Sequence, residues 1–443
     1  MPYEVPSSLA SLLSLFRPCF TAPTFETFCG LCVGLLTRVR GRTVTGMLIA
    51  AGLSGEWHHS RDRRFFSRAR WSADRLGLVA LGLIAGRLTE EGEPLVVAID
   101  DTLLRRSGPK VFARQLHHDG SSPAAGPRAG RIAHGNAWVV AGVVVALPFL
   151  ERRVCLPVLF RLWRPGKGPT QVAHAAELAT LIAQAHPDRG LIVLADGAYA
   201  ARALSPADLP RNVTVIARAR RDLRLNAPPP PRRPGQVGRP RTRGERLPSL
   251  RERARSGGPW RRTRIEAYGE RRGVEVAEQA GIWPKAWGAT RVRAVALRDA
   301  RAEDQIDMVV ISSDPDLPAE RILGLYALRW SIEVAFRDAK QHVGVGEARN
   351  RTRPAVERTA PFAFLCLTLA VLWYSLAGGA EEDVARRRRL APWDRSKRCP
   401  SVQDMLVALR RAIIAGRVSA SMGAQGRDRK PGDLAEIWEM AVA

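Results

Sequence analysis

Two short apolar runs, each stopped by aspartate, constrain this chain more than any other feature. Residues 94–102 read PLVVAIDDT and residues 190–200 read GLIVLADGAYA. An apolar run of this length without polar alternation marks a strand covered on both faces. The acid that closes it cannot follow the run into the core, so it sits at an edge of the sheet. Side chains alternate along a strand, and only one of Asp100 and Asp101 can therefore share a side with Asp196. Residues 137–150 and 154–163 predict two more strands, turning at Glu151-Arg152-Arg153. A helix is expected over 170–185 and a further strand over 213–218.

A second charged feature stands far downstream. Residues 321–350, RILGLYALRWSIEVAFRDAKQHVGVGEARN, read as one helix, with Tyr326, Arg329, Glu333, Arg337 and Lys340 along one face. Leu325, Leu328, Ile332, Ala335, Phe336 and Ala339 supply a surface to bury. By spacing alone, a solvated ladder of ion pairs fits as well as a functional face.

The identities Y-(2)-R-(3)-E-(6)-K, at Tyr326, Arg329, Glu333 and Lys340, resemble the signature of a group of bacterial insertion-sequence DDE transposases. Trp330, Ile332, Gly344 and Gly346 extend the match. The resemblance implies an α/β chain with an RNase H-like core, a mixed sheet with flanking helices whose first and fourth strands lie side by side. The order strand, strand, strand, helix, strand, helix, strand suits that core. A basic, β-containing insertion would interrupt it, and a helical N-terminal domain would precede it. In the family the first catalytic Asp stands directly before a Thr, which selects Asp101 and leaves Asp100 a structural acid. Asp101, Asp196 and Glu333 would be the catalytic and metal-binding triad, with Tyr326, Arg329 and Lys340 on DNA phosphates. Carboxylates are hard ligands suited to Mg²⁺, with Mn²⁺ able to substitute, and two ions suit an in-line displacement. The implied activity is cleavage at transposon ends and strand transfer into target DNA, by a homodimer on double-stranded DNA. A Trp of the insertion would stack on a flipped base, with Trp260, Trp283 and Trp287 as candidates.

Charge agrees with a polyanionic partner: the 443 residues carry a formal +26. Residues 211–264 hold 17 arginines against Asp222, Glu245 and Glu252. Their centre, 227–248, is too rich in Pro and Gly for regular structure, and is expected to contact DNA backbone without regard to sequence. The chain divides into a helical DNA-binding region (1–92), two core parts (93–225 and 290–378), the basic insertion (226–289) and a basic helical C-terminal region (379–443). In the first of these, the basic segment 58–71 is interleaved with Phe65, Phe66 and Trp71 and predicts DNA contact with aromatic support. Beyond 260, strands are expected over 263–268, 274–278, 291–297 and 306–312, and the tail past 423 is expected to be mobile.

Cys29 and Cys32 lie in an apolar stretch without a second pair, which favours buried helix residues over a metal site. Residues 362–377 fall short of a membrane span and predict a core helix. No basic segment precedes an apolar run at the start, so a cytoplasmic protein without membrane contact is expected. A catalytically idle, domesticated DNA-binding relative and an RNase H-fold endonuclease without strand transfer are the alternatives.

Overall fold

Five helices precede the first strand: α1 (Ser7–Ser14), α2 (Ala22–Thr37), α3 (Val44–Ala51), α4 (Ser60–Ser67) and α5 (Ala73–Arg87). The computed structural model describes residues 5–119, 132–232, 234–255, 260–267, 269–299 and 306–423. The tail past 423 lies outside the described residues. Ser72 starts α5 by accepting the Arg75 N–H at 3.4 Å, and Thr43 starts α3 in the same way from Gly46 at 3.1 Å. The basic segment around α4 divides by face. Phe65, Phe66 and Trp71 are buried and pack with one another, and both phenylalanines also meet Phe362, while Arg63, Arg64, Arg68 and Arg70 are exposed. Those aromatics are therefore core, and aromatic support for DNA contact is not available from them.

The strands are β1 (Leu95–Arg105), β2 (Gln115–His118), β3 (Ile132–Val145), β4 (Val154–Trp163), β5 (Leu191–Ala195) and β6 (Val213–Ala219), with α6 (Gln171–Ala185) between β4 and β5. After α7 (Leu250–Arg255) come β7 (Arg261–Ala267), β8 (Glu270–Ile282), β9 (Arg291–Asp299) and β10 (Met308–Ser312). All ten join one sheet in the order β4-β3-β1-β5-β6-β10-β9-β8-β7, with β2 beside the first part of β3. β1 runs antiparallel to β3 and parallel to β5, and β5 parallel to β6. That is the RNase H-like arrangement, and the fold is a mixed α/β one. The insertion's strands are not a separate sheet: β10 pairs antiparallel with β6, and β9, β8 and β7 continue from it. They cover the edge that β6 would otherwise leave unpaired.

Two elements differ from expectation. β1 does not stop at its acids; β3 is long enough to pair with it from Val97 through Arg105. The stretch read as one helix is two, α8 (Ala319–Ala327) and α9 (Trp330–His342). Between them the amides of Leu328, Arg329, Ser331 and Ile332 each bond the carbonyl three residues back, at 3.0–3.1 Å, which tightens the turn.

Three further helices close the described chain: α10 (Arg353–Ala377), α11 (Ala380–Leu390) and α12 (Val402–Gly423). Among the described residues α10 alone is long and apolar enough to cross a membrane, but it is buried against β4, α5 and α12. Its Thr368 hydroxyl donates to the Pro157 carbonyl at 2.8 Å. Cys29 and Cys32 are buried in α2, and Cys366 of α10 comes within 3.8 Å of Cys32, sulfur to sulfur.

Candidate active site

Side-chain alternation on β1 decides what each of its two acids meets. Asp100 faces α9: the Arg329 guanidinium donates to Asp100 Oδ2 and to Glu333 Oε1, both at 2.7 Å. One half-buried cation thus joins a strand carboxylate to a helix carboxylate. Asp101 faces the other way. Its Oδ1 accepts from the Tyr199 hydroxyl at 3.1 Å, and Gln171, at the start of α6, also bonds it. The ion pairs of Arg329 therefore tie down Asp100, while Asp101, the acid that the sequence selected, is the one on which the charge of Asp196 acts.

Asp196 directly follows β5 and starts a short 3-10 turn, Gly197–Tyr199, without a side-chain capping bond. Its carboxylate is turned to α8, where the Tyr326 hydroxyl reaches Oδ1 at 3.5 Å. In register, Ile99 lies beside Ala195, so Asp100 and Asp196 follow on adjacent strands at the same level. Arg329 thus joins Asp100 to Glu333, Tyr326 reaches Asp196, and the charge of Asp196 acts on Asp101. Among the described residues, however, no three His, Cys, Asp or Glu side chains converge at metal-ligating distance. Arg329 stands between two of the carboxylates. Their oxygen chemistry suits a divalent cation; their present spacing does not close a cage.

Electrostatics follow burial. Burial pushes the Asp100 carboxyl up to about 7, against the pull of Arg329. Asp101 is raised by burial and by the charge of Asp196, and held back by Tyr199 and His117. The Tyr326 hydroxyl is pushed up to about 12, by burial first. Burial works against the Arg329 cation, but Asp100, Tyr326 and Glu333 together hold its pKa above the usual value.

Lys340 lies about two turns beyond Glu333. Burial lowers its pKa, while Asp119, itself paired with Arg105 at 2.6 Å, raises it. It does not join the carboxylates. Of the tryptophans, Trp287 is fully buried, Trp283 packs against it at 5.8 Å between ring centres, and Trp260 is covered by the Arg298 guanidinium at 4.2 Å.

Several neighbours were not legible beforehand: Tyr199, Gln171, His117 of β2, and Arg218 at the end of β6, whose charge acts on Tyr326. Only Tyr199 carried a signal, standing three residues after Asp196 in the motif that ends the run. Two cavities, of about 1120 and 1080 Å³, lie away from these carboxylates, one at the start of β1 and one along the outer side of α9.

Residues 15–279, more than half of the chain, match the DDE superfamily endonuclease family. The chain belongs to that family. Glu333 lies beyond the matched stretch. Among solved structures, a piggyBac transposase in a synaptic complex with hairpin DNA is similar at 9% identity and a TM-score of 0.42, covering 98% of this chain and 81% of that one. So low a score says nothing about activity. Among curated proteins there is no match.

Proposed function

We propose that the chain is a DNA transposase, cutting phosphodiester bonds at the ends of a mobile element and joining the freed 3′-hydroxyl to target DNA. One observation carries the reading: Arg329 joins Asp100 to Glu333 while Tyr326 reaches Asp196. Asp101, beside Asp100 on β1, feels the charge of Asp196, so acids from a strand, a strand end and a helix share this neighbourhood. Asp101, Asp196 and Glu333 would hold Mg²⁺ or Mn²⁺, with Asp100 a structural acid tied to Arg329. Held by these carboxylates, divalent ions would supply activation of the attacking oxygen and stabilisation of the departing one. Arg329, Tyr326 and Arg218 stand where a scissile phosphate needs donors, and guanidinium suits that charge. Lys340, farther along α9, takes a phosphate away from the cut.

Double-stranded DNA is the partner that a net charge of +26 favours. Joining two ends to one target calls for two copies of the chain, one on each end. A strand-transfer assay with pre-cut ends and Mg²⁺ tests the reading, and joined product is expected. Hydrolysis alone would make the protein a nuclease without transfer, and no chemistry would make it an idle DNA-binding relative.

A further inference from the structure

The proline- and arginine-rich tract between β6 and α7 is anchored at its base. Asn226 exchanges backbone hydrogen bonds with Ile282 at 2.9 and 2.8 Å, and the amides of Ala227 and Gly244 bond the carbonyls of Glu245 and Ala227, each at 2.9 Å. Past that clasp, residues 228–232 and 234–243 are exposed without exception. The arm turns at Gly235 and Gly238, whose φ values of +77° and +99° favour residues without a Cβ. Arg232 bridges the tip by donating to the Gln236 carbonyl at 2.8 Å. Arg239, Arg241 and Arg243 follow, and none makes a hydrogen bond or ion pair with a described residue.

This arm is ill suited to docking protein. Between Ala227 and Gly244 there is no acid, and prolines apart, the only large apolar side chain is Val237, which is 95% exposed. It is suited to a groove in nucleic acid. Pro240 fixes its own φ, has no N–H, and keeps Arg239 extended. Gly238-Arg239-Pro240-Arg241 is therefore a slim ribbon. The minor groove, about 6 Å wide, admits a ribbon but not a helix. Arginines two apart on an extended chain are about 6.5 Å apart, close to two base-pair steps. Where the groove is narrow, as over A·T runs, its negative potential draws guanidinium most strongly. The guanine amino group, which would obstruct the floor, is also missing there.

We propose that the arm enters the minor groove and gives the protein a preference for A·T-rich DNA. This goes beyond backbone contact and rests on DNA being the partner. The test is fluorescence anisotropy of the full chain with three duplexes of equal length, containing an A·T, a G·C or an inosine·C tract. Inosine·C keeps the major groove of G·C but lacks the minor-groove amino group. A·T and inosine·C should bind about tenfold tighter than G·C, and the double variant Arg239→Ala, Arg241→Ala should bind all three alike. Equal binding by the unaltered protein, inosine·C behaving as G·C, or a preference that survives in the variant would each overturn the proposal. Failure to bind any duplex would overturn the DNA reading as well.

Discussion

Asp62 lies fully buried on α4, and neither of its carboxylate oxygens has a hydrogen-bond partner. Burial pushes its pKa up to about 7, with Arg61 opposing. A carboxyl more easily protonated folded than unfolded stabilises the fold below the unfolded pKa, about 4. That contribution is lost as pH climbs through about 7. Asp62→Asn should therefore raise the thermal midpoint by a few degrees at pH 8, and the gain should shrink as pH falls toward 5. Thermal unfolding at the two pH values measures this, and a gain independent of pH would contradict it. The same scale explains what the sequence left open at Asp100 and Asp101. Alternation showed that the two acids face opposite ways, but only the positions of α9 and α6 decide which one Arg329 ties to Glu333.

Among the elements, α5 shows how closely a helix can sit on the sheet. A Cβ on Gly77 would fall 1.9 Å from the Val158 carbonyl oxygen of β4, whereas one on Gly82 meets nothing within 4 Å. Gly77→Ala should cost roughly 2–3 kcal/mol of overpacking, outweighing a helix-propensity gain of about 1 kcal/mol. Gly82→Ala should keep most of that gain. Denaturant midpoints for the two variants should move in opposite directions, and a stabilised Gly77→Ala would contradict the packing. Strands and helices with strong periodicity were legible: β1, β3 to β6, α2 and α6 all lie where apolar runs place them. The turn at Leu328 and Arg329 was not, because a helical face reads the same through a tightened turn. β2 was missed, since its four residues have no apolar run.

For the whole molecule, a net +26 makes DNA binding an electrostatic matter. Affinity for nonspecific duplex should fall about a thousandfold or more between 50 and 200 mM salt, read by titration at several ionic strengths. A flat response would contradict a phosphate-binding surface. The large-scale plan was visible early, because two acid-ended apolar runs demand adjacent buried strands. That the insertion would extend the same sheet was not visible, since edge pairing leaves no mark on the inserted strands themselves. The central claim is that Asp101 of β1, which feels the charge of Asp196, works with Asp196 and Glu333, while Asp100 is the structural acid held by Arg329. Mg²⁺-dependent cleavage by Asp100→Asn, Asp101→Asn and Glu333→Gln tests it most directly. Asp101→Asn and Glu333→Gln should lose about a thousandfold or more while still binding DNA, and Asp100→Asn should keep much of its activity. An inactive Asp100→Asn beside an active Asp101→Asn would contradict the account.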